Sequence, residues 1–177
     1  MSTHMVHLHE LAAIPLFANL DECELRNLAE ATETLSFESG ETLIREGGDG
    51  RNLWVILEGR CEVLKHRTRD GEDETVVLDV LEPFSHFGEM SFFHAAPNSA
   101  DVRAQSKVRL LRLTRPAFDA LANCGTAAPY KVAYNALGCV AERLRRMGDW
   151  VTQLMQRETL REHVTEWEEF RRKLFVS

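Results

Sequence analysis

The chain has 177 residues, 44% hydrophobic and 28% charged, with a net charge of −7 and an isoelectric point near 5.5. That length suits one domain with an appended helical element, and the apolar share is enough for a core. The acidic balance argues against a general binder of nucleic-acid backbones, which ordinarily presents a basic face.

Cys23, Cys61, Cys124 and Cys139 show no C-x-x-C spacing. They read as buried free thiols in a reducing compartment rather than a disulfide framework or a zinc site. No apolar run reaches the roughly 18 residues that span a bilayer. The N-terminus lacks a charged segment leading into an apolar one, so the expected location is cytoplasmic, away from membranes. His4, His7 and His9 are expected to be part of an unstructured start, not a metal site.

Residues 1–32 form a first, helical segment. The apolar piece from His9 to Ile14 stops at Pro15. Asp21 then stands three residues before Glu24, a capping-box spacing, with Leu25, Leu28, Ala29 and Thr32 on one face behind it. This predicts a helix over Glu22–Thr32. Residues 33–114 change character and read as short strands: Thr34–Phe37, Thr42–Arg45, Asn52–Leu57, Arg60–His66, Glu74–Leu81, Ser99–Gln105 and Val108–Leu113. Gly40, Gly47, Gly48, Gly50, Gly59 and Asp70-Gly71 fall between them, and Asp-Gly between strands signals a hairpin. Many short, evenly spaced strands suggest a barrel, roll or sandwich.

Residues 115–177 turn helical and form the C-terminal region. Pro116 suits a first helical turn, Gly125 interrupts, and a long helix follows from about Ala127. Within it Tyr130, Ala133, Leu137, Val140, Leu144, Met147, Val151 and Leu154 recur at alternating spacings of three and four, a heptad seam. Such a stripe either packs on the β-unit or joins two copies. A homodimer is favoured, because the stripe outruns what a small β-unit covers. After Leu154 the repeat slips, and Leu160, Val164, Trp167 and Leu174 suggest a second apolar face.

Two segments carry more specific information. From Leu43 to Gly59 an apolar pair leads into a glycine turn, an apolar strand beginning at Leu53, and a closing glycine. From Phe87 to Ala104 the order is Phe87-Gly88-Glu89-Met90-Ser91, a short connecting stretch, then Asn98-Ser99-Ala100-Asp101-Val102-Arg103-Ala104. Together they resemble the first signature and the phosphate-binding cassette of the cyclic-nucleotide-binding domain family. The resemblance implies a mainly β fold with flanking helices: a double-stranded β-helix, or jelly-roll-like β-roll, followed by a long C-terminal helix.

It also implies the site. Gly88 would let the backbone approach a sugar-phosphate, and Glu89 would accept from the ribose 2′-OH. Ser91, Ser99 and the main chain of the short turn would cradle the phosphate, with Phe87, Met90 and Ala100 completing the lining. Three positions depart from the pattern. Gly48 stands where the family has a polar or small residue, Phe92 where it has an aliphatic one, and Asn98 where it has the phosphate-binding arginine. Arginine gives phosphate a charge-assisted, often bidentate contact, whereas asparagine brings no charge. Arg51 and Arg103 are the candidate replacements, though Arg103 alternates with Val102 and Ala104 and should point outward. His86 and His94 flank the cassette, where a haem-binding branch of the family uses a histidine; solvated loop histidines are the favoured reading.

No P-loop, H-E-x-x-H motif or Ser-His-acid context is present, so no catalytic residue, metal or cofactor is assigned. The readings carried forward are three. The first is a stand-alone regulatory sensor of cAMP or cGMP, weakened by Asn98, that signals to an unidentified protein partner through its C-terminal helices. The second is a roll that has lost its nucleotide and serves as an interaction or assembly module. The third is a transcriptional regulator subunit, with DNA disfavoured because the charges after Met155 alternate in sign.

Overall fold

The computed structural model describes residues 8–69 and 72–155. Their order is α1 (Leu8–Ala12), a 3-10 turn (Pro15–Phe17), α2 (Glu22–Ala31), β1 (Thr32–Phe37), β2 (Thr42–Ile44), β3 (Asn52–Glu58), β4 (Cys61–Arg69), β5 (Glu72–Leu81), β6 (His86–Phe87), α3 (Glu89–Phe93), β7 (Asp101–Ala104), β8 (Val108–Thr114), α4 (Arg115–Asn123) and α5 (Ala128–Met155). The strands form two antiparallel four-stranded sheets, ordered β1-β8-β3-β6 and β2-β7-β4-β5. This is the expected β-roll with flanking helices and a long C-terminal helix.

Strand β3 explains why its sequence reads as one apolar run. Successive side chains point to opposite faces, and both faces of β3 are covered. Trp54 and Ile56 join Cys61, Phe87, Val102, Val108 and Leu110 in one buried cluster. Leu53, Val55 and Leu57 join a second cluster built with the helices, through Leu11, Ile14, Leu16, Leu25, Leu28, Phe118, Val132 and Ala136. Of the four cysteines expected to be buried only Cys61 is, and burial pushes its thiol up to about 12, so it behaves as a small apolar side chain. Cys23 and Cys124 are exposed and Cys139 half-buried, on helix surfaces or ends that face solvent.

The capping box is present: the Glu24 N–H donates to Asp21 Oδ1 at 2.9 Å and the Asp21 N–H to Glu24 Oε2 at 2.8 Å. The same Glu24 carboxylate, 7% exposed, accepts from Lys131 Nζ at 2.6 Å. Asn135 Nδ2 donates to the carbonyls of Leu16 and Ala18. The start of α5 therefore packs through Ala128, Val132 and Ala136, spaced at four, and not through the heptad seam, where Tyr130 is 72% exposed.

Several bounds differ from the sequence reading. Ser99 and Ala100 are bends before β7: Asn98 just ahead of them bonds to the loop after β2, and the Ser99 carbonyl accepts from the Lys65 side chain instead of from a strand. The two-residue β6 was too short to carry a period. Asp70 and Gly71 lie outside the described residues, while β4 and β5 pair as far as Arg69 and Glu72. The second apolar face at Leu160, Val164, Trp167 and Leu174 also lies outside them, as do His4 and His7.

The chain divides into two compact units, up to Ala136 and from Leu137. In the second, Leu137, Leu144, Met147 and Trp150 are exposed. No described helix is long and apolar enough to cross a membrane.

Candidate functional site

The segment from β6 through α3 to β7 is held at its first turn by Gly88. This residue has φ +83°, and a Cβ there would lie 2.4 Å from the Asn52 carbonyl oxygen. Only glycine accepts both the left-handed backbone and the close approach. Just before it, Phe87 stacks on Trp54 at 6.2 Å between centroids. Just after it, Glu89 opens α3 and is 5% exposed.

Ser91, 3% exposed, turns its hydroxyl toward the far end of the segment and donates to Asn98 Oδ1 at 2.7 Å. Asn98 Nδ2 donates to the Arg45 carbonyl at 3.3 Å. Its main chain exchanges two hydrogen bonds with the β2–β3 loop, from Gly47 N–H to Asn98 O and from Asn98 N–H to Gly48 O, each 2.9 Å. A Cβ at Gly48 would come within 3.1 Å of the Arg45 oxygen and 3.5 Å of Asn98 Nδ2. Two of the three departures noted in the sequence, Gly48 and Asn98, thus touch each other. The third, Phe92, is fully buried and packs edge-on against Phe93 and Phe118.

Of the candidate residues, Ser91 meets Asn98, and Met90 meets Ser99 through a 3.8 Å contact from Ser99 Oγ to Met90 Sδ. Met90 is otherwise 61% exposed and Ala100 half-buried. The two arginines suggested as substitutes are occupied elsewhere. Arg103 pairs with Glu62 at 2.7 Å. Arg51 donates to the carbonyls of Ser91 and Phe92, and Arg115 adds a second bond to the Phe92 carbonyl. Both guanidiniums therefore satisfy carbonyls at the C-terminal end of α3. His86 is buried in β6 whereas His94 is exposed at the end of α3. Among the described residues no three His, Cys, Asp or Glu side chains group as a metal site.

The structure adds a charged cluster that sequence reasoning missed. Lys65 Nζ lies 2.5 Å from Glu46 Oε1 and 2.7 Å from the Ser99 carbonyl. Asp101 Oδ1 accepts from the Glu46 N–H, and Asp101 Oδ2 lies 3.0 Å from His66 Nε2. Arg45, Glu46, His66 and Asp101 line an open hollow of about 390 Å³ beside the cassette. The hydrogen bond from Lys65 holds the Glu46 carboxyl below its usual range, against some burial. Burial pushes Asp101 up, but the Glu46 N–H and His66 together bring it below its ordinary value. One signal was available in the sequence. Lys65 directly follows the apolar pair Val63-Leu64 in β4, of which Leu64 is buried.

Residues 34–123, just over half of the chain, match the cyclic nucleotide-binding domain family. The chain belongs to this family. The domain is 27% identical over 117 residues to a cAMP-dependent protein kinase regulatory subunit of Schizosaccharomyces pombe, covering 66% of this chain and 27% of that one. It thus spans about a quarter of that relative's length. A cyclic nucleotide-binding domain from Methylobacillus flagellatus shares the fold at 24% identity and TM-score 0.73, with 85% and 83% of the two chains covered. A third likeness is to the regulatory subunit of a cAMP-independent protein kinase A from Trypanosoma brucei, at 26% identity and TM-score 0.59. It covers 94% of this chain and 50% of that one. That structure is a triple mutant, one change of which introduces an arginine, bound to cAMP in its A site.

Proposed function

We propose that this cyclic nucleotide-binding domain is a regulatory sensor whose hold on cAMP or cGMP is weakened, and which passes its state to a protein partner through its C-terminal helices. The observation that carries the reading is the commitment of Asn98 to Ser91 and to the Arg45 carbonyl, with Arg51 and Arg103 both engaged elsewhere. The turn at Gly88, the buried Glu89 and the seryl groups remain arranged for a ribose and a phosphate. What has gone is a formal charge. The Trypanosoma protein lends support, since the regulatory subunit of a cAMP-independent protein kinase A is there seen with cAMP in a mutant whose changes include a new arginine.

Calorimetric titration with cAMP and cGMP, of the native protein and of Asn98→Arg, tests this reading. Replacing a buried charged contact by a neutral one costs about 2–5 kcal/mol. Asn98→Arg is therefore expected to bind about 30- to 4,000-fold more tightly than the native protein. Equal affinity in the two proteins overturns the weakened-sensor reading.

The exposed apolar side chains of α5 favour a second element, self-association. Leu137, Leu144 and Met147 lie on one heptad seam and are 66%, 58% and 54% exposed. Burying such a stripe against a second copy removes apolar surface from water at about 25 cal/mol per Å². Sedimentation is expected to show a dimer that Leu144→Glu dissociates; a native monomer at all concentrations would remove this element. The same stripe suits an assembly module if neither nucleotide binds.

A further inference from the structure

We propose that Lys65 is the cation that meets the phosphate of a cyclic nucleotide in this domain, and that Glu46 is an internal competitor the phosphate must displace. The inference rests on the reading above that the cassette still accepts a nucleotide, and it names the group that supplies the missing charge.

The position of Lys65 follows from strand geometry. Alternate residues of β4 share a face, and Cys61 and Val63 on that face pack into the cluster between the sheets. Lys65 is two residues further along β4, after the buried Leu64; its side chain is 43% exposed and its ammonium reaches the seam between two segments. On one side of the seam lies Glu46, 2.5 Å from the ammonium, and on the other the Ser99 carbonyl, 2.7 Å away. Ser99 follows Asn98, whose main chain is bonded to Gly47 and Gly48. The ammonium is therefore one residue from the position that carries the family's phosphate contact. An ammonium has three donors and a flexible stem, so Lys65 can keep Ser99 and exchange its other partner.

Glu46 is the partner equipped to leave. Its Oε2 is buried with no close hydrogen-bond partner among the described residues, and besides Lys65 only the His66 main chain and ring support the carboxylate. Asp101, by contrast, uses both oxygens, one for the Glu46 N–H and one for His66. Glu46 also precedes Gly47, at φ +75°, where the loop can turn without a side-chain penalty. Charge gives the same answer. Arg45 and Lys65 balance Glu46 and Asp101 in the closed cluster, so an arriving monoanion finds no surplus cation. Once the Glu46 carboxylate swings out, one positive charge faces the phosphate at the place where Asn98 offers none.

Titration with cAMP of four proteins tests this: native, Glu46→Gln, Glu46→Gln with Lys65→Met, and Asn98→Arg. Melting curves first establish that each folds, and Lys65→Gln replaces the Met variant if that one does not. Glu46→Gln is expected to bind cAMP about 10-fold or more tightly than the native protein, and the loss of Lys65 is expected to abolish that gain. A gain that survives the loss of Lys65 overturns the proposal. So does unchanged binding by Glu46→Gln while Asn98→Arg gains affinity, an outcome that leaves the weakened-sensor reading standing. Absence of binding by all four proteins overturns both.

Discussion

The two limbs of the cassette are built on different terms. The first, from Phe87 to Phe93, is held by packing and main-chain geometry: the Phe87–Trp54 stack, the glycine turn at Gly88, and Phe92 wedged between Phe93 and Phe118. Arg51 and Arg115 close its carbonyl end. The second limb, from Asn98 to Asp101, is held by polar side chains and by the loop after β2. All but one of the departures from the family pattern lie on or against this second limb. The exception, Phe92, replaces one apolar side chain by another and leaves the first limb packed. A limb that carries the core resists change in kind, whereas a limb that carries charge can exchange one ionic arrangement for another while the roll stays folded.

The comparison breaks most visibly in stability. Phe92→Ala removes a fully buried ring that meets two others, and about 3–5 kcal/mol of destabilisation is expected. Asn98→Ala leaves the Ser91 hydroxyl with only its longer contacts to the Gly50 and Gly88 carbonyls, and about 1 kcal/mol is expected. Urea unfolding of both variants measures the contrast. Equal losses would mean the second limb carries as much of the fold as the first.

A smaller effect is expected with pH. Asp101 and Glu46 are both held below their ordinary values of 3.8 and 4.5. A carboxylate with a depressed folded value stabilises the native state above its ordinary value, and that contribution is lost as the pH falls through the depressed one. Acid should therefore loosen the second limb before the first. The melting temperature of Asp101→Asn should fall less steeply than that of the native protein as the pH drops below 3.8. Parallel curves would show that the ionisation of Asp101 contributes nothing to folding.

Much of this was legible along the chain because it is local. The capping box at Asp21 and Glu24, the alternation of Val102, Arg103 and Ala104, and the turn at Gly88 each depend on residues a few positions apart. The uncharged Asn98 was visible for the same reason, as one residue inside a short ordered segment. The heptad seam was legible as a pattern, but its environment was not. A helix bearing two apolar faces does not reveal from sequence which one the domain takes, and here Ala128, Val132 and Ala136 are buried while Tyr130 stays exposed.

By itself, then, the sequence determined the β-roll, the family, the glycine turns and an uncharged side chain at position 98. Only the tertiary structure decided what surrounds that side chain. Lys65 is 19 residues from Glu46 and 34 from Ser99, and strand pairing alone brings them together. The pairing of β4 with β5 also skips Leu78, shifting the register between Val63 and Leu64. Which charges meet across such a register depends on the summed packing of both sheets, because a contact between distant residues has no local period to announce it.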